Sequence, residues 1–235
     1  MGGPPKKSGN RFLFALPRDL SERILNNLKQ VTLPRGTVLV HAGASAGSLH
    51  FLDRGLVSLV KVMGDGRTAE VGYVGIEGIA GVPALLGVKQ APFEAIVQVE
   101  GVGRTIKTAA LRAEMERSPA LKELVLRYMY FALIKLGQTA ACNRLHTLRQ
   151  RCCRWLLTAC DNAQASTFTL THDFLALMMG VNRPALSLIL SALQRQGMIK
   201  YERASITVVD RRALEKSTCE CYWTLRTACD RLYEL

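Results

Sequence analysis

The sequence predicts an α+β fold in which short strands come first, one long helix follows, and two short helices with a hairpin come last. Three observations support this order. Glycine turns break residues 31–106 into β-rich runs, residues 118–145 keep helical apolar spacing, and residues 170–201 carry a glycine and a proline within a helical apolar pattern. With 235 residues, 49% of them hydrophobic and 21% charged, the chain is large enough for one large domain or two small ones.

Residues 1–15 predict a basic flexible tail, because lysines and arginine accompany glycines and prolines there. The only apolar run, residues 12–16, is much shorter than the ~20 residues of a membrane span and is also too short for a secretory signal. The chain has seven cysteines, an odd number without regular spacing, which is typical of reduced thiols. These features favour a cytoplasmic protein with no membrane partner.

Residues 16–117 form the first predicted domain. Leu20, Ile24 and Leu28 lie on one face of an amphipathic helix that begins behind Pro17. Strands are predicted over residues 38–40, 49–52, 57–62, 69–74 and 95–99, with turns such as residues 64–66 between them. Short strands at this spacing are typical of a small barrel or roll.

Residues 118–148 predict one long helix with apolar residues on more than one face. Leu121, Leu124, Val125 and Tyr128 follow helical spacing, and further apolar residues cover the remaining sides: Leu126, Tyr130, Phe131, Leu133 and Ile134. At ~1.5 Å per residue, the helix would run about 42 Å, longer than a small domain needs. A partner chain packed helix against helix explains this pattern. The alternative is a central helix buried within a monomer.

Residues 149–235 form the last predicted domain, a winged helix-turn-helix. Thr171 can cap a first helix that ends at Gly180, and Asn182 can cap a second helix with Pro184 in its first turn. Residues 198–201 and 205–209 then predict a hairpin with Arg203 at its tip. In such a unit the second helix enters the major groove of DNA while the caps and the hairpin contact phosphates.

The charge of the chain agrees with double-stranded DNA as a partner. Thirty-one Lys and Arg against 19 Asp and Glu give a net charge of +12, although residues 151–235 carry only 11 basic against 8 acidic side chains. The DNA interface therefore depends on where these groups lie. Arg183 is the predicted base contact, through a bidentate bond to guanine. The full predicted set is Thr171, His172, Asn182, Arg183, Ala185, Ser187, Ser191, Arg195 and Arg203.

The order of elements and the stretches "PRGTVLVHAG", "DRGLVSLV", "RCCRWLL" and "LTHDFLALMMGVNRPALSLILSALQRQGMI" resemble the Crp/Fnr superfamily of bacterial transcription regulators. "AACNRLH" and "CECY" resemble a branch common in alphaproteobacteria. The resemblance implies a cyclic-nucleotide-binding-like β-roll, or jelly roll, as a sensor over residues 16–117 and a dimerisation helix over 118–148. It also implies a winged helix-turn-helix with a C-terminal helix over 149–235, a homodimer on a palindromic operator, and RNA polymerase as a partner if the protein is an activator.

Departures from the cyclic-AMP receptor concern the effector. Val82 stands at the position of its ribose-binding glutamate, Phe93 and Glu94 stand at its phosphate-binding Arg-Ser pair, and Leu136 with Gly137 replaces its Thr-Ser pair. A carboxylate would repel a phosphate, so cyclic AMP is not the expected ligand. The effector, if one exists, is unidentified, and its expected pocket includes Gly81, Val82, Phe93, Glu94 and Leu136. In the second short helix only Arg183 is retained, because Pro184 and Leu188 replace a glutamate and an arginine, so a different operator is expected.

We expect no enzyme activity, no cofactor and no metal site. The sequence shows no nucleophile with a positioned base and no phosphate-binding loop, and cysteines in a C-x-C pair on one helix point in different directions. A thiol-based redox response remains an alternative use of the cysteines. A second functional hypothesis also remains, namely a ligand-binding β-roll that acts through protein–protein contacts of its winged helix.

Overall fold

The computed structural model describes residues 9–234, which form nine strands, nine α-helices and one 3₁₀ helix within that range. The N-terminal elements are α1 Arg11–Phe14, α2 Arg18–Asn27, β1 Lys29–Leu33, β2 Val38–Val40, β3 Ser48–Val62, β4 Thr68–Val74, β5 Ile79–Ala80, a 3₁₀ helix Val82–Leu86 and β6 Glu94–Lys107. The helices that follow are α3 Thr108–Arg117, α4 Pro119–Leu145 and α5 Leu148–Ala163. The C-terminal elements are β7 Thr167–Thr169, α6 His172–Met179, α7 Arg183–Arg195, β8 Ile199–Glu202, β9 Ser205–Val208, α8 Arg211–Ser217 and α9 Cys221–Tyr233.

The first domain is an antiparallel sheet in the order β1-β6-β3-β4, with β2 also paired to β6 and β5 to β3. The predicted strands 49–52 and 57–62 merge into the single 15-residue strand β3, whose register against β6 shifts repeatedly. At one shift Gly55 has φ +107, and a Cβ on Gly101 would lie 2.0 Å from the Arg54 carbonyl oxygen. The two glycines therefore let β3 and β6 cross closely where the long strands bend. Strands β1 and β5 and helix α3 were not predicted.

The N-terminal segment corrects one sequence-based expectation. Residues 1–8 of the expected flexible tail lie outside the described residues, but residues 9–15 pack onto the sheet. The Asn10 side chain donates to the carbonyl oxygens of Leu52 and Gly78 at 3.1 and 2.9 Å. Phe12 is fully buried, and its ring centroid lies 6.0 Å from the centroid of Phe51 and 6.0 Å from that of Tyr128. An aromatic side chain contributes a large buried area, which outweighs the entropy of ordering these few residues.

The long helix is confirmed as α4, with 27 residues. Ser118 caps it by accepting a hydrogen bond from the Leu121 N–H, and Pro119 stands in the first turn. One face packs on the β-roll and on α9, and the residues it buries are Leu121, Leu124, Val125, Tyr128, Phe131, Lys135, Thr139 and Cys142. The opposite face is exposed.

The C-terminal domain packs directly on the β-roll of the same chain. Helix α5, which begins with a capping box, and helix α6 form one hydrophobic cluster with residues of β3 and β6. Gln98 Nε2 of β6 lies 3.4 Å from Met178 Sδ of α6. At this boundary Glu70 is buried and accepts a hydrogen bond from Ser58 Oγ. Burial raises the pKa of Glu70 to about 7, although Ser58 and Arg154 act in the opposite direction.

Within residues 9–234 no single helix is long and apolar enough to cross a membrane; only α6 and α7 together reach that composition, across a bend of 108°.

Candidate nucleic-acid interface

Helices α6 and α7 form the predicted helix-turn-helix, with 108° between them. Gly180 adopts φ +64 after α6, and its N–H is directed to the carbonyl oxygens of Ala176 and Leu177. Asn182 then caps α7, because its side-chain oxygen accepts a hydrogen bond from the Ala185 N–H at 2.9 Å. Pro184 occupies the first turn of α7, where a missing N–H is harmless. The glycine and the proline therefore separate two helices and set their angle.

The inner face of α7 fixes the helix on its domain. Leu186, Leu190 and Leu193 are buried, and Ile189 is partly buried against the same cluster. The cluster also contains residues of α6 and of the hairpin, Leu175, Met178, Met179, Ile199 and Ile206. The predicted inward stripe is thus observed, and the other side of α7 faces outward.

The outward face of α7 presents a mixed polar and apolar surface. Asn182, Arg183, Ser191 and Arg195 are exposed, whereas Ala185 and Ser187 are half-buried. Leu188 was not among the predicted contacts, yet 72% of it is exposed in the middle of this face. The signal for it lay in the spacing, since residues 184, 188, 191 and 195 follow one side of a helix. A leucine there can contact the methyl group of thymine.

Arg183 is paired within the chain. Its Nη1 lies 3.1 Å from Asp173 Oδ2 in the first turn of α6, and both side chains are largely exposed. An exposed pair of this kind contributes only about 0–1 kcal/mol, so Arg183 can exchange Asp173 for a nucleic acid at little cost. Asp173 also restricts where the guanidinium lies before binding.

His172 and Thr171 have structural contacts within the domain. Thr171 Oγ1 accepts the Phe174 N–H and so caps α6. His172 Nδ1 lies 3.0 Å from Ser187 Oγ, and its ring packs against that of Tyr201 at a tilt of 38°, with centroids 4.2 Å apart. Burial first and the charge of Arg183 second lower the pKa of His172, so the ring is neutral near pH 7. The half-buried His172 therefore joins α6, α7 and β8, and Ser187 is engaged with it.

The hairpin places a cation at the edge of the interface. β8 pairs with β9 in antiparallel register, and β7 adds a third strand on the other side of β9. Arg203 and Ala204 at the tip have φ values of +46 and +65, as in the two-residue turns that join tight hairpins. Arg203 is exposed there, at the predicted position.

The expected effector residues gather around a small apolar cavity between the sheet and α4. Gly81, Val82, Phe93 and Leu136 line it, and its volume is about 100 Å³. Pockets for drug-sized ligands usually have about 300–1,000 Å³, so this cavity is small for a nucleotide. Glu94 does not line it, because the strand directs its carboxylate toward His41, with Oε1 3.6 Å from His41 Nδ1.

Among residues 9–234, Lys135 is the one cation that lines this cavity, and it is already paired. Its Nζ lies 2.5 Å from Glu77 Oε1 and 2.7 Å from the Tyr73 carbonyl oxygen, and the side chain is almost fully buried. Tyr73 and Phe131 also place their rings beside the ammonium group, at 4.6 and 5.1 Å. A phosphate in the cavity would therefore find apolar side chains and a neutralised lysine.

Two family models match the chain. The cyclic nucleotide-binding domain model matches residues 30–118, and the Crp-like helix-turn-helix domain model matches residues 150–217. A search of curated protein sequences finds no match.

Solved structures share the fold at low sequence identity. FixK2 from Bradyrhizobium japonicum has a TM-score of 0.68 at 16% identity, covering 82% of this chain and 98% of its own. A CRP-family transcriptional regulator from Thermus thermophilus has a TM-score of 0.66 at 24% identity, covering 80% and 95%. The c-di-GMP responsive global regulator CLP from Xanthomonas campestris has a TM-score of 0.65 at 17% identity, covering 83% and 100%.

Proposed function

The chain belongs to the Crp/Fnr family of transcription regulators, and on that premise we propose that it acts as a homodimer that binds a palindromic operator, with one α7 helix in each half-site. The observation that carries this proposal is the presentation of α7. Its N-terminus projects at 108° from α6, with Arg183 and Leu188 exposed on its outward face and Arg203 on the neighbouring hairpin.

Each part of this surface has a distinct task. Arg183 forms the bidentate contact to guanine, and Leu188 packs against thymine methyl groups. Asn182, Ser191, Arg195 and Arg203 contact phosphates. Thr171 and His172 support this surface from within the domain, as do Ala185 and Ser187, which leave room for the DNA backbone.

Dimerisation uses the exposed face of α4. Leu126, Tyr130 and Leu133 are 51%, 67% and 64% exposed, and with Gly137 and Ala140 they follow the alternating three- and four-residue spacing of a coiled-coil seam. A glycine within a helix costs about 1 kcal/mol relative to alanine. Gly137 has open space beside it within the chain. That space admits the α4 helix of a partner chain. The two-fold axis of the resulting dimer then also relates the two α7 helices.

Cyclic AMP is not the effector in this proposal. Support comes from the small apolar cavity, from Phe93 and Val82 where polar groups would be needed, and from the pairing of Lys135 with Glu77. An effector that acts here must favour one of two arrangements of the β-roll and α4, because only differential binding shifts an equilibrium. We place the protein in the cytoplasm, with RNA polymerase as its further partner if it activates.

The proposal is tested with the purified full chain and a random duplex library. The expected product is a two-fold-symmetric site with half-site centres ~34 Å apart, bound by one dimer, with log K falling linearly against log salt. Arg203→Ala is expected to weaken binding to all sequences alike and to reduce the salt slope by about one. Arg112→Ala, an exposed arginine of α3, is the matched control. A chain that is monomeric and binds no duplex would overturn the proposal. Tight binding to another protein, with an affinity that hardly changes with salt concentration, would favour the protein-contact hypothesis instead.

A further inference from the structure

Four side chains with metal-binding donor atoms meet where the end of α4 touches the start of α9. They are Cys142, His146, Cys219 and Cys221, and their donor atoms all lie within 4.8 Å of one another. The three cysteines are buried and form a cluster of their own, and the His146 side chain is only slightly exposed. None of the cysteines is in a disulfide.

The fold brings these residues together from distant parts of the chain. Cys142 and His146 are one turn apart at the end of α4, so they lie on the same face. Cys219 lies in the turn after α8, and Cys221 is the first residue of α9. The sequence-based argument against a metal site assumed that both cysteines of the C-x-C pair lie on one helix. Because Cys219 precedes the helix, both sulfurs point toward α4.

Two of the donor-to-donor distances match those around a single tetrahedral ion. Zn–S bonds of about 2.3 Å and Zn–N bonds of about 2.0–2.1 Å, at the tetrahedral angle, place two sulfurs about 3.8 Å apart and a sulfur about 3.5 Å from a nitrogen. Cys142 Sγ and Cys219 Sγ are 3.6 Å apart, and Cys221 Sγ is 3.5 Å from His146 Nδ1. Three thiolates and one imidazole form a ligand set typical of structural zinc.

The imidazole is also oriented as a ligand. His146 Nε2 lies 3.0 Å from the carboxylate of Glu220, which leaves Nδ1 facing the sulfurs. Histidines that bind metals usually donate their other ring N–H to such an acceptor, and this fixes the tautomer. Gln138 on the preceding turn of α4 donates from Nε2 to Cys221 Sγ at 3.0 Å, so this sulfur too has a partner outside the ligand set.

The surroundings favour the net negative charge of such a site. Three thiolates and one divalent cation leave one negative charge, and the buried Arg154 of α5 is close enough to interact with it.

We propose that Cys142, His146, Cys219 and Cys221 bind one Zn²⁺ ion that ties helix α9 to the end of α4. Both ligand-bearing segments lie outside the matched domains, since one model ends at residue 118 and the other spans residues 150–217. The proposed ion therefore lies outside both matched ranges. It holds the C-terminal segment at the point where the long helix meets the DNA-binding domain.

The site is tested on the full chain, purified under reducing conditions and without DNA. We expect one zinc per chain by elemental analysis. After removal of zinc, Co²⁺ should give the visible absorption of a tetrahedral ion with thiolate charge-transfer bands. Cys219→Ser should weaken Zn²⁺ binding by more than about 100-fold, and Glu220→Gln by about 10-fold, the effect of removing an outer-shell partner. Cys160→Ser removes a buried thiol of α5 and should leave binding unchanged.

Three outcomes would overturn the proposal: a wild-type chain that takes up neither zinc nor Co²⁺, an equal loss of affinity in Cys160→Ser, or a disulfide between Cys142 and Cys219 in the isolated protein. If Cys219→Ser does not fold, the wild-type Co²⁺ spectrum and the surface variant Glu220→Gln still show whether these residues bind a metal ion. Hydrogen exchange adds a measurement of structure, because removing zinc should speed exchange in α9 and leave the β-roll unchanged.

Discussion

Replacing Leu133 with alanine should separate the proposed dimer into monomers. Leu133 is 64% exposed on α4 and would be covered by the partner. Full burial of a leucine is worth about 1.5–3 kcal/mol, so covering this exposed fraction is worth about 1–2 kcal/mol per chain and about 2–4 kcal/mol for both chains. Since 1.4 kcal/mol is tenfold, the dissociation constant of the dimer should rise about 30- to 700-fold.

The measurement is sedimentation equilibrium over a dilution series without DNA. Alanine favours helix, so the variant should keep the wild-type circular dichroism spectrum. Leu188→Ala is the matched control, because this leucine is similarly exposed but lies on α7. An unchanged dissociation constant for Leu133→Ala, or an equal rise for Leu188→Ala, would refute the assignment of the seam to α4.

Further outcomes are expected for operator binding, for the titration of Glu70 and for the buried Lys135. Arg183→Ala should weaken binding to the selected operator about 5- to 150-fold and broaden the sequence preference. Asp173→Asn should strengthen binding about 2- to 5-fold, because it releases Arg183. Fluorescence anisotropy measures both effects. The folded chain keeps a proton on Glu70 up to about pH 7, while the unfolded carboxyl loses it near pH 4.5. The stability that this proton contributes is therefore fully present below pH 4.5 and is lost as the pH rises through 7. Glu70→Gln should accordingly raise the free energy of unfolding by about 3 kcal/mol at pH 8 and change it little at pH 4.5. Lys135→Met should lower the free energy of unfolding by about 3–5 kcal/mol in urea, because it leaves a buried carboxylate unpaired, and the exposed Lys122→Met should not.

Each of these has a contrary result. Unaltered operator preference in Arg183→Ala would remove that residue from base recognition. A Glu70→Gln effect that is the same at both pH values would show that Glu70 does not titrate in this range. A Lys135→Met variant as stable as the Lys122 variant would show that the buried ion pair contributes no net stability.

The helix-turn-helix was predictable because its signals are local. Gly180, Asn182 and Pro184 each act on backbone within a few residues, and the structure places them as expected. The burial of Phe12 was not predictable from its neighbours, because the contacts come from Phe51 and Tyr128, far along the chain. A short apolar run next to basic residues carries no signal of such a contact.

The candidate sites show the same division between local and distant causes. The outward face of α7 follows from helical spacing, including the exposed Leu188. The pairing of Arg183 with Asp173 depends on the angle between two helices, and the approach of Cys219 to Cys142 depends on how α9 packs on α4, 77 residues away. Spacing within one segment cannot report a contact that tertiary packing creates.

The packing of α6 against the β-roll limits how far α7 can move relative to α4 in each chain of the proposed dimer. Gln98 and Met178 join the β-roll and the helix-turn-helix domain within one chain, so α7 moves together with the β-roll and α4. In the proposed dimer, a two-fold axis would therefore hold the two α7 helices at a fixed separation. A duplex whose half-site spacing does not match this separation must itself bend or twist. Flexible pyrimidine–purine steps between the half-sites then contribute to operator choice, although no side chain contacts them.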